Sequence, residues 1–152
     1  MELLTYFIIS ALSYLGVLAG YIILLFAPEE KKPGMRYFNG LLYFTFLLSL
    51  ILALFFSFNF FVLFSSLVFL ALFLFFKKYQ IYLSYIFFAI IFYILSNTDK
   101  FIVFAVLIFV YGLIAGAILV DLQNKKNSLF KVFYISYFVL LTNLPNFLKL
   151  FL

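Results

Sequence analysis

Apolar and polar residues are segregated along this chain into long apolar stretches separated by short polar segments. A membrane core of ~30 Å is crossed by about 20 helical residues at 1.5 Å per residue. The pattern therefore predicts an all-α integral membrane bundle of six transmembrane helices, arranged as three hairpins with very short loops. The predicted spans, within a single transmembrane domain covering residues 1–152, are 3–27, 37–56, 60–76, 79–95, 101–120 and 130–148.

The division between the second and third spans depends on a weak polar signal. From Tyr37 to Phe76 the chain carries no charged residue. A single helix over this stretch would be roughly 60 Å long, about twice the thickness of the membrane core. We therefore predict a turn at 57–59, where Ser57 and Asn59 are the strongest turn formers.

Composition supports a membrane protein, because 69% of the residues are hydrophobic and only 10% are charged, with a mean hydropathy of +1.30. A soluble domain carries roughly 45–50% apolar and about 25% charged residues. A soluble enzyme, a disordered chain and a fibrous protein are therefore excluded. No Lys or Arg precedes the first apolar stretch, which exceeds the ~7–15 residues of a signal-peptide core. We expect a permanent span and a multi-pass protein of the cell membrane, most simply a prokaryotic plasma membrane.

The basic residues predict the orientation, since cytoplasmic loops are enriched in Lys and Arg. With both termini outside, only Lys100 and Lys149 of the ten basic residues lie outside. The other eight are expected to contact anionic lipid headgroups, at about 1 kcal/mol each near the surface. They are Lys31, Lys32, Arg36, Lys77, Lys78, Lys125, Lys126 and Lys131. The net charge of +5 is spread over short loops, which does not indicate a nucleic-acid partner.

Two glycine pairs at i and i+4 mark helix faces that can pack closely. In lipid, apolar area does not drive helices together, and small residues let their backbones touch. We favour packing of the first span against the fifth, in parallel, within one chain. The alternative is an interface in a homo-oligomer or with a partner membrane subunit. The predicted helix-packing residues are Gly16, Ala19, Gly20, Gly112, Ala115 and Gly116.

Chemistry is sparse in this sequence, which has no Cys, no His and no ionisable side chain deep inside a predicted span. Glu29, Glu30 and Asp121 end the first and fifth spans and could form a cytoplasmic acidic cluster that binds a cation. We favour the alternative that they pair with neighbouring lysines or face water. No cofactor, metal site or catalytic residue is predicted, and we do not expect an enzyme.

Other polar residues within the apolar stretches are expected to have structural roles. Asn143 to Asn146, with Pro145 between them, should end or kink the last span. Tyr6 and Tyr93 suit the aromatic belt at the outer membrane surface. Five deeper tyrosines need hydrogen-bond partners, either as bridges between helices, which we favour, or as ligand contacts. They are Tyr14, Tyr43, Tyr85, Tyr111 and Tyr137.

Three functions are compatible with these features. The first is a non-catalytic assembly or accessory subunit that packs through glycine-rich helix faces. The second is a small transporter or channel for a neutral or apolar solute, with a stripe of hydroxyl residues lining its path. The third is a lipid-processing enzyme that uses Glu29, Glu30 or Asp121. We favour the first.

Overall fold

The computed structural model of the chain describes residues 3–57, 59–96 and 98–151. It is 89% helical, and within these ranges no strand occurs, which confirms the all-α class. The helices, in chain order, are α1 (Leu3–Phe26), α2 (Lys31–Phe56), α3 (Phe60–Phe75), α4 (Gln80–Leu95), α5 (Phe101–Leu119), α6 (Lys125–Tyr134) and α7 (Tyr137–Phe151).

Several helices have the length and apolarity of membrane spans. Within the part of the chain that the structure describes, four helical segments qualify on both counts, and α3 is a shorter apolar helix. The qualifying segments are Leu4–Phe26, Pro28–Phe56, Lys77–Leu95 and Phe101–Leu119. The chain is therefore a helical bundle whose composition is compatible with a membrane protein.

The predicted turn at 57–59 is present at Ser57 and Asn59, the two of its residues that the structure describes. Helix α2 ends at Phe56, and α3 begins at Phe60. The side chain of Asn59 accepts a hydrogen bond from the backbone N–H of Val62 at 2.8 Å. This is an N-cap, which satisfies one of the amide groups that a helix start leaves without a partner.

The second helix begins earlier than predicted, at Lys31 instead of residue 37. A single 3₁₀ turn at Pro28–Glu30 makes the whole connection from α1. Pro33 then falls in the first turn of α2, where its missing N–H costs nothing because first-turn amides have no partner within the helix. The basic segment that the sequence assigns to a loop is therefore helical.

The sixth predicted span, 130–148, is wrong as a single helix, because the chain divides it into α6 and α7. Between them the amides of Ile135 and Ser136 bond the carbonyls three residues earlier, at 3.1 and 2.9 Å. This tighter pattern interrupts the α-helical ladder. Neither Gly nor Pro lies at the break, so the usual sequence signal is missing. The end predicted at 143–146 is also wrong, because α7 continues through Pro145.

The interior is filled by aromatic rings from α4, α5 and α7. Phe88, Phe92, Phe104 and Phe138 are fully buried. The Phe92 ring lies 5.9 Å from that of Phe138 and 4.3 Å from that of Phe101, at the start of α5. Since α4 runs antiparallel to α5, its C-terminal end meets the first turn of α5, and this fixes the register of the bundle.

Candidate functional site

The two glycine pairs face each other across the contact between α1 and α5. A methyl group added at Gly20 would overlap the carbonyl group of Leu113, with its carbon atom 2.7 Å away. One added at Gly116 would lie 2.8 Å from the backbone nitrogen of Tyr21. No real Cβ atom occupies such positions, so the two backbones touch directly. The chain order of these contacts shows that α1 and α5 run parallel.

The remaining members of the predicted packing set belong to the same two helices. A Cβ at Gly112 would lie 2.9 Å from the backbone nitrogen of Val17, and one at Gly16 would overlap the carbonyl of Phe109. Ala115 is fully buried and Ala19 is half-buried. These glycine faces are therefore occupied by each other within one chain.

Three tyrosines connect helices by donating to the backbone of a neighbour. Tyr14 donates to the carbonyl of Val132 at 3.0 Å, and Tyr6 donates to that of Thr142 at 3.1 Å. Tyr137 donates to the carbonyl of Tyr82 at 2.5 Å. The bonds join α1 to α6, α1 to α7 and α7 to α4. Two of the five deep tyrosines, Tyr14 and Tyr137, are therefore bridges of the predicted kind.

The bond from Tyr14 has a particular role, because Val132 lies in the last turn of α6. Its carbonyl already accepts from the amide of Ile135 at 3.1 Å, in the tighter turn that ends the helix. The Tyr14 hydroxyl supplies a second donor to this carbonyl, at the place where the last predicted span is broken. The break is thus supported from α1, outside its own segment.

Tyr6 was predicted for the outer aromatic belt, and that prediction is wrong. Its side chain is 2% exposed. Its ring stacks on Phe101, with ring centres 5.3 Å apart, and its hydroxyl reaches α7. The physical reason is that α1 and α7 meet at this end of the bundle, so an end position on α1 faces protein.

Tyr85 and Tyr111 form a buried pair between α4 and α5, with ring centres 5.8 Å apart. Tyr111 donates to Ser84 Oγ at 2.9 Å, and Ser84 donates onward to the carbonyl of Gln80 at 2.8 Å. Tyr85 is also fully buried, but among the described residues its hydroxyl has no hydrogen-bond partner. A buried polar group left unpaired costs on the order of 1–3 kcal/mol.

A second polar group lies between α1 and α7, where Asn143 is 1% exposed. Its amide nitrogen donates to Ser10 Oγ at 3.0 Å and to the carbonyl of Val139 at 2.7 Å. Its Oδ1 has no partner within the described part of the chain. In the sequence, Ser10 and Asn143 each belong to a stripe of small or hydroxyl residues along one helix face. These stripes are the sequence signal for a buried polar contact between α1 and α7.

Gln80 is a structural residue that the sequence pattern did not single out. It is 8% exposed, and its amide donates to Tyr43 Oη at 2.8 Å and to the carbonyl of Phe73 at 2.9 Å. This one side chain therefore joins α2, α3 and α4, and it supplies the partner of a fourth deep tyrosine, Tyr43. In sequence it lies within a polar separator next to two lysines, which suggested only a loop.

The predicted acidic cluster does not assemble. Glu29 and Glu30 are exposed, whereas Asp121 is half-buried and accepts from the backbone N–H of Gln123 at 3.1 Å. Across residues 3–57, 59–96 and 98–151 no three Asp, Glu, His or Cys residues form a group that could hold a metal ion.

The basic residues lie at the helix ends that the charge pattern assigns to the inner side. The Lys31 ammonium donates to the carbonyl of Val120, which joins the start of α2 to the end of α5. Lys31, Lys32 and Asp121 line a cavity of about 440 Å³ at this end. Lys77, Lys78 and Lys126 are exposed, Lys131 is half-buried, Arg36 is exposed, and the side chain of Lys125 lies outside the described residues.

Comparison with known proteins gives no relative from which a function could be transferred. The chain matches no protein-family model, no curated protein and no solved structure. Function is therefore inferred from the residues and their geometry.

We expect Gly20→Ala to lower the free energy of unfolding by about 1–3 kcal/mol, the usual cost of overpacking, because its methyl group would enter the α5 backbone. Gly40→Ala is the matched control, since Gly40 is exposed in α2 and a Cβ there meets nothing within 4 Å. The control should be neutral, or stabilising by up to about 1 kcal/mol through helix propensity. Reversible unfolding in detergent micelles measures both, and equal effects of the two variants would contradict the backbone contact.

We expect Tyr14→Phe to lower the free energy of unfolding by about 1 kcal/mol, because the Val132 carbonyl loses one of its two donors at the helix break and keeps only the Ile135 amide. Tyr85→Phe also removes a tyrosine hydroxyl, but this hydroxyl has no hydrogen-bond partner among the described residues. Its loss should therefore be neutral or stabilising. The same unfolding assay compares the two variants. If Tyr85→Phe proved the more destabilising, the Tyr85 hydroxyl would have a partner, such as a bound molecule, that its surroundings in the fold do not reveal.

Proposed function

We propose that this chain is a non-catalytic integral membrane subunit that acts by associating with other membrane proteins. The observation that carries the proposal is the closed interior. The glycine faces are occupied by each other, and the buried side-chain nitrogen and oxygen atoms of the described residues find partners, apart from Ser66 Oγ, Tyr85 Oη and Asn143 Oδ1. The outer surface is apolar, with Phe55, Phe60 and Phe75 more than 80% exposed. A bundle with a filled interior and an apolar outer surface can contact lipid and partner subunits through that surface.

The membrane arrangement that we propose has six passages, with both termini outside. Its last passage consists of α6 and α7 together. Ser128 in α6 bonds to Asp121 beside the inner end of α5, and Asn143 in α7 bonds to Ser10 near the outer end of α1. The two helices therefore lead from one end of the bundle to the other. The parallel contact of α1 with α5 agrees with three passages between them.

A second candidate is a transporter for a neutral solute, and one specific arrangement favours it. Interrupted helices near the middle of the membrane often form substrate sites in transporters. The break at 135–136 is followed by Phe138, whose ring lies 5.4 Å from that of Tyr85. The Tyr85 hydroxyl could therefore offer a hydrogen bond to a neutral solute beside a discontinuous helix.

The orientation is tested with single cysteines, which the naturally cysteine-free chain permits. Glu29→Cys and Gln123→Cys replace exposed residues expected inside, and Phe60→Cys and Asp99→Cys replace exposed residues expected outside. An impermeant thiol reagent should label the outer pair in intact cells and the inner pair only after lysis. Labelling at 29 or 123 in intact cells would overturn the orientation.

Association is tested by a photo-crosslinking amino acid placed at lipid-facing positions on different helices. Phe44, Phe61, Val106 and Phe133 are each more than half exposed and serve as controls for one another. A partner on one face should give a protein adduct of discrete mass at that position and lipid adducts elsewhere. Lipid adducts at all four positions, together with saturable solute uptake into proteoliposomes that Tyr85→Phe weakens, would favour the transporter instead.

A further inference from the structure

We propose that the outer surface of α2 around Gly40 binds a transmembrane helix of a partner protein, and that this helix carries an acidic residue opposite Arg36. The surface is formed by Arg36, Gly40, Phe44 and Leu47, all of which are exposed. They recur every three or four residues, so they lie on one face of the helix. The inference rests on the proposed function, because it names the face through which the subunit associates and the chemistry of its partner.

Gly40 differs from the other five glycines of the chain because nothing lies beside it. A Cβ added to any of the four glycines of α1 and α5 would meet the backbone of the facing helix, and one at Gly34 would meet the ring of Phe38. A Cβ at Gly40 would meet nothing within 4 Å. Glycine is the least favourable residue inside a helix after proline, and in a membrane it lets a second backbone approach closely. Gly40 is thus suited to a helix contact that the described part of the chain does not make.

The face of α2 that packs inside the bundle is a different one. Leu42, Phe46, Ser49 and Ala53 are buried. Successive residues of an α-helix are about 100° apart, so Gly40 lies on the side of α2 opposite Leu42 and Ser49. Packing within the bundle therefore does not account for a glycine at this position. Its face also belongs to the apolar stretch 37–56, which the sequence assigns to the membrane.

Arg36 determines the chemistry of the partner. It lies one turn from Gly40, next to the inner end of the apolar stretch, and it is exposed with no ion pair among the described residues. The planar guanidinium group matches a carboxylate through two parallel hydrogen bonds. Opposite charges at the edge of the hydrocarbon attract each other more strongly than in bulk water. A helix that contacts Gly40 is therefore favoured when it carries Asp or Glu at the level of Arg36.

The same charge argues against a second copy of this chain as the partner. Two copies in one membrane have the same orientation, so a symmetric contact at Gly40 would bring Arg36 of each copy toward Arg36 of the other. Lys32, one turn farther toward the inner side, is also exposed and would approach its own counterpart. Like charges that face each other across an interface weaken binding. Charge complementarity therefore favours a different protein.

Designed transmembrane peptides test the proposal in phosphatidylcholine vesicles, through energy transfer between labelled protein and labelled peptide. The peptides are leucine–alanine helices that differ only in one residue near the inner end, which is Glu, Gln or Lys. We expect the Glu peptide to bind several-fold more tightly than the Gln peptide, and the Lys peptide to bind most weakly. Arg36→Glu should reverse this order.

Gly40→Leu should weaken binding of the Glu peptide several-fold, because its side chain fills the space that the partner backbone needs. Val106→Leu is the matched control, since Val106 is exposed on α5, and it should leave binding unchanged. The Gly40→Leu side chain enters open space, so the free energy of unfolding should stay the same or rise. A loss of binding would then not reflect a loss of fold.

Equal binding of the Glu and Lys peptides would overturn the proposal, and so would binding that Gly40→Leu leaves unchanged. Energy transfer between two labelled copies of the chain that Gly40→Leu abolishes would also overturn it, because the partner would then be a second copy. The crosslinking experiment separates this inference from the proposed function. A protein adduct at Val106 or Phe133 but none at Phe44 would reject the α2 face alone, whereas lipid adducts at all four positions would reject both.

Discussion

The direct backbone contact between α1 and α5 is the constraint on which the rest of this bundle depends. Helices in lipid gain little from burying apolar area, so their association needs close van der Waals contact over a long surface. Four glycines remove the side chains that would keep these two helices apart. Once the two axes are fixed in parallel, the other helices have to pack around a pair that already has a defined direction. Tyr85 also depends on this contact, since its hydroxyl lies against Gly112, where a Cβ would come within 3.0 Å.

Hydrogen bonds from side chains to backbone provide the second level of organisation. The chain has few polar residues to spare, and several of its tyrosines donate to carbonyls of another helix. Such a bond gives modest stability in a membrane, because the separated helices also find partners. Its larger effect here is positional. The Tyr14 bond reaches the interrupted ladder between α6 and α7, and the Gln80 bonds set the height of a whole hairpin. Polar contacts therefore determine register, whereas glycine contacts determine proximity.

The sequence predicts the parts of this architecture that follow from local signals. Apolar blocks place the first five helices, Asn59 marks a turn within a charge-free stretch, and glycine spacing identifies the faces of α1 and α5. The break at 135–136 has no Gly or Pro, and the Tyr14 hydroxyl that contacts it lies more than 100 residues away in the chain, so no local pattern could show it. Tyr6 was misplaced for a similar reason, because its burial depends on α7. Residues whose role is set by a distant helix lie beyond what spacing can reveal.

The charge pattern and the contacts between helices also give different information about the basic residues. The positive-inside pattern assigns each loop to one side of the membrane, and it treats Lys31 and Lys77 as equivalent. Helix lengths alone already separate them, since α2 has 26 residues whereas α3 and α4 have 16 each. The bond from Gln80 to Tyr43 converts that difference in length into a difference in position along the bundle. The lysine pair at the start of α2 therefore lies farther along this helix than the level at which Gln80 contacts it. A charge pattern predicts which side of a membrane a residue faces, whereas a hydrogen bond between two helices fixes the position of a residue along the bundle.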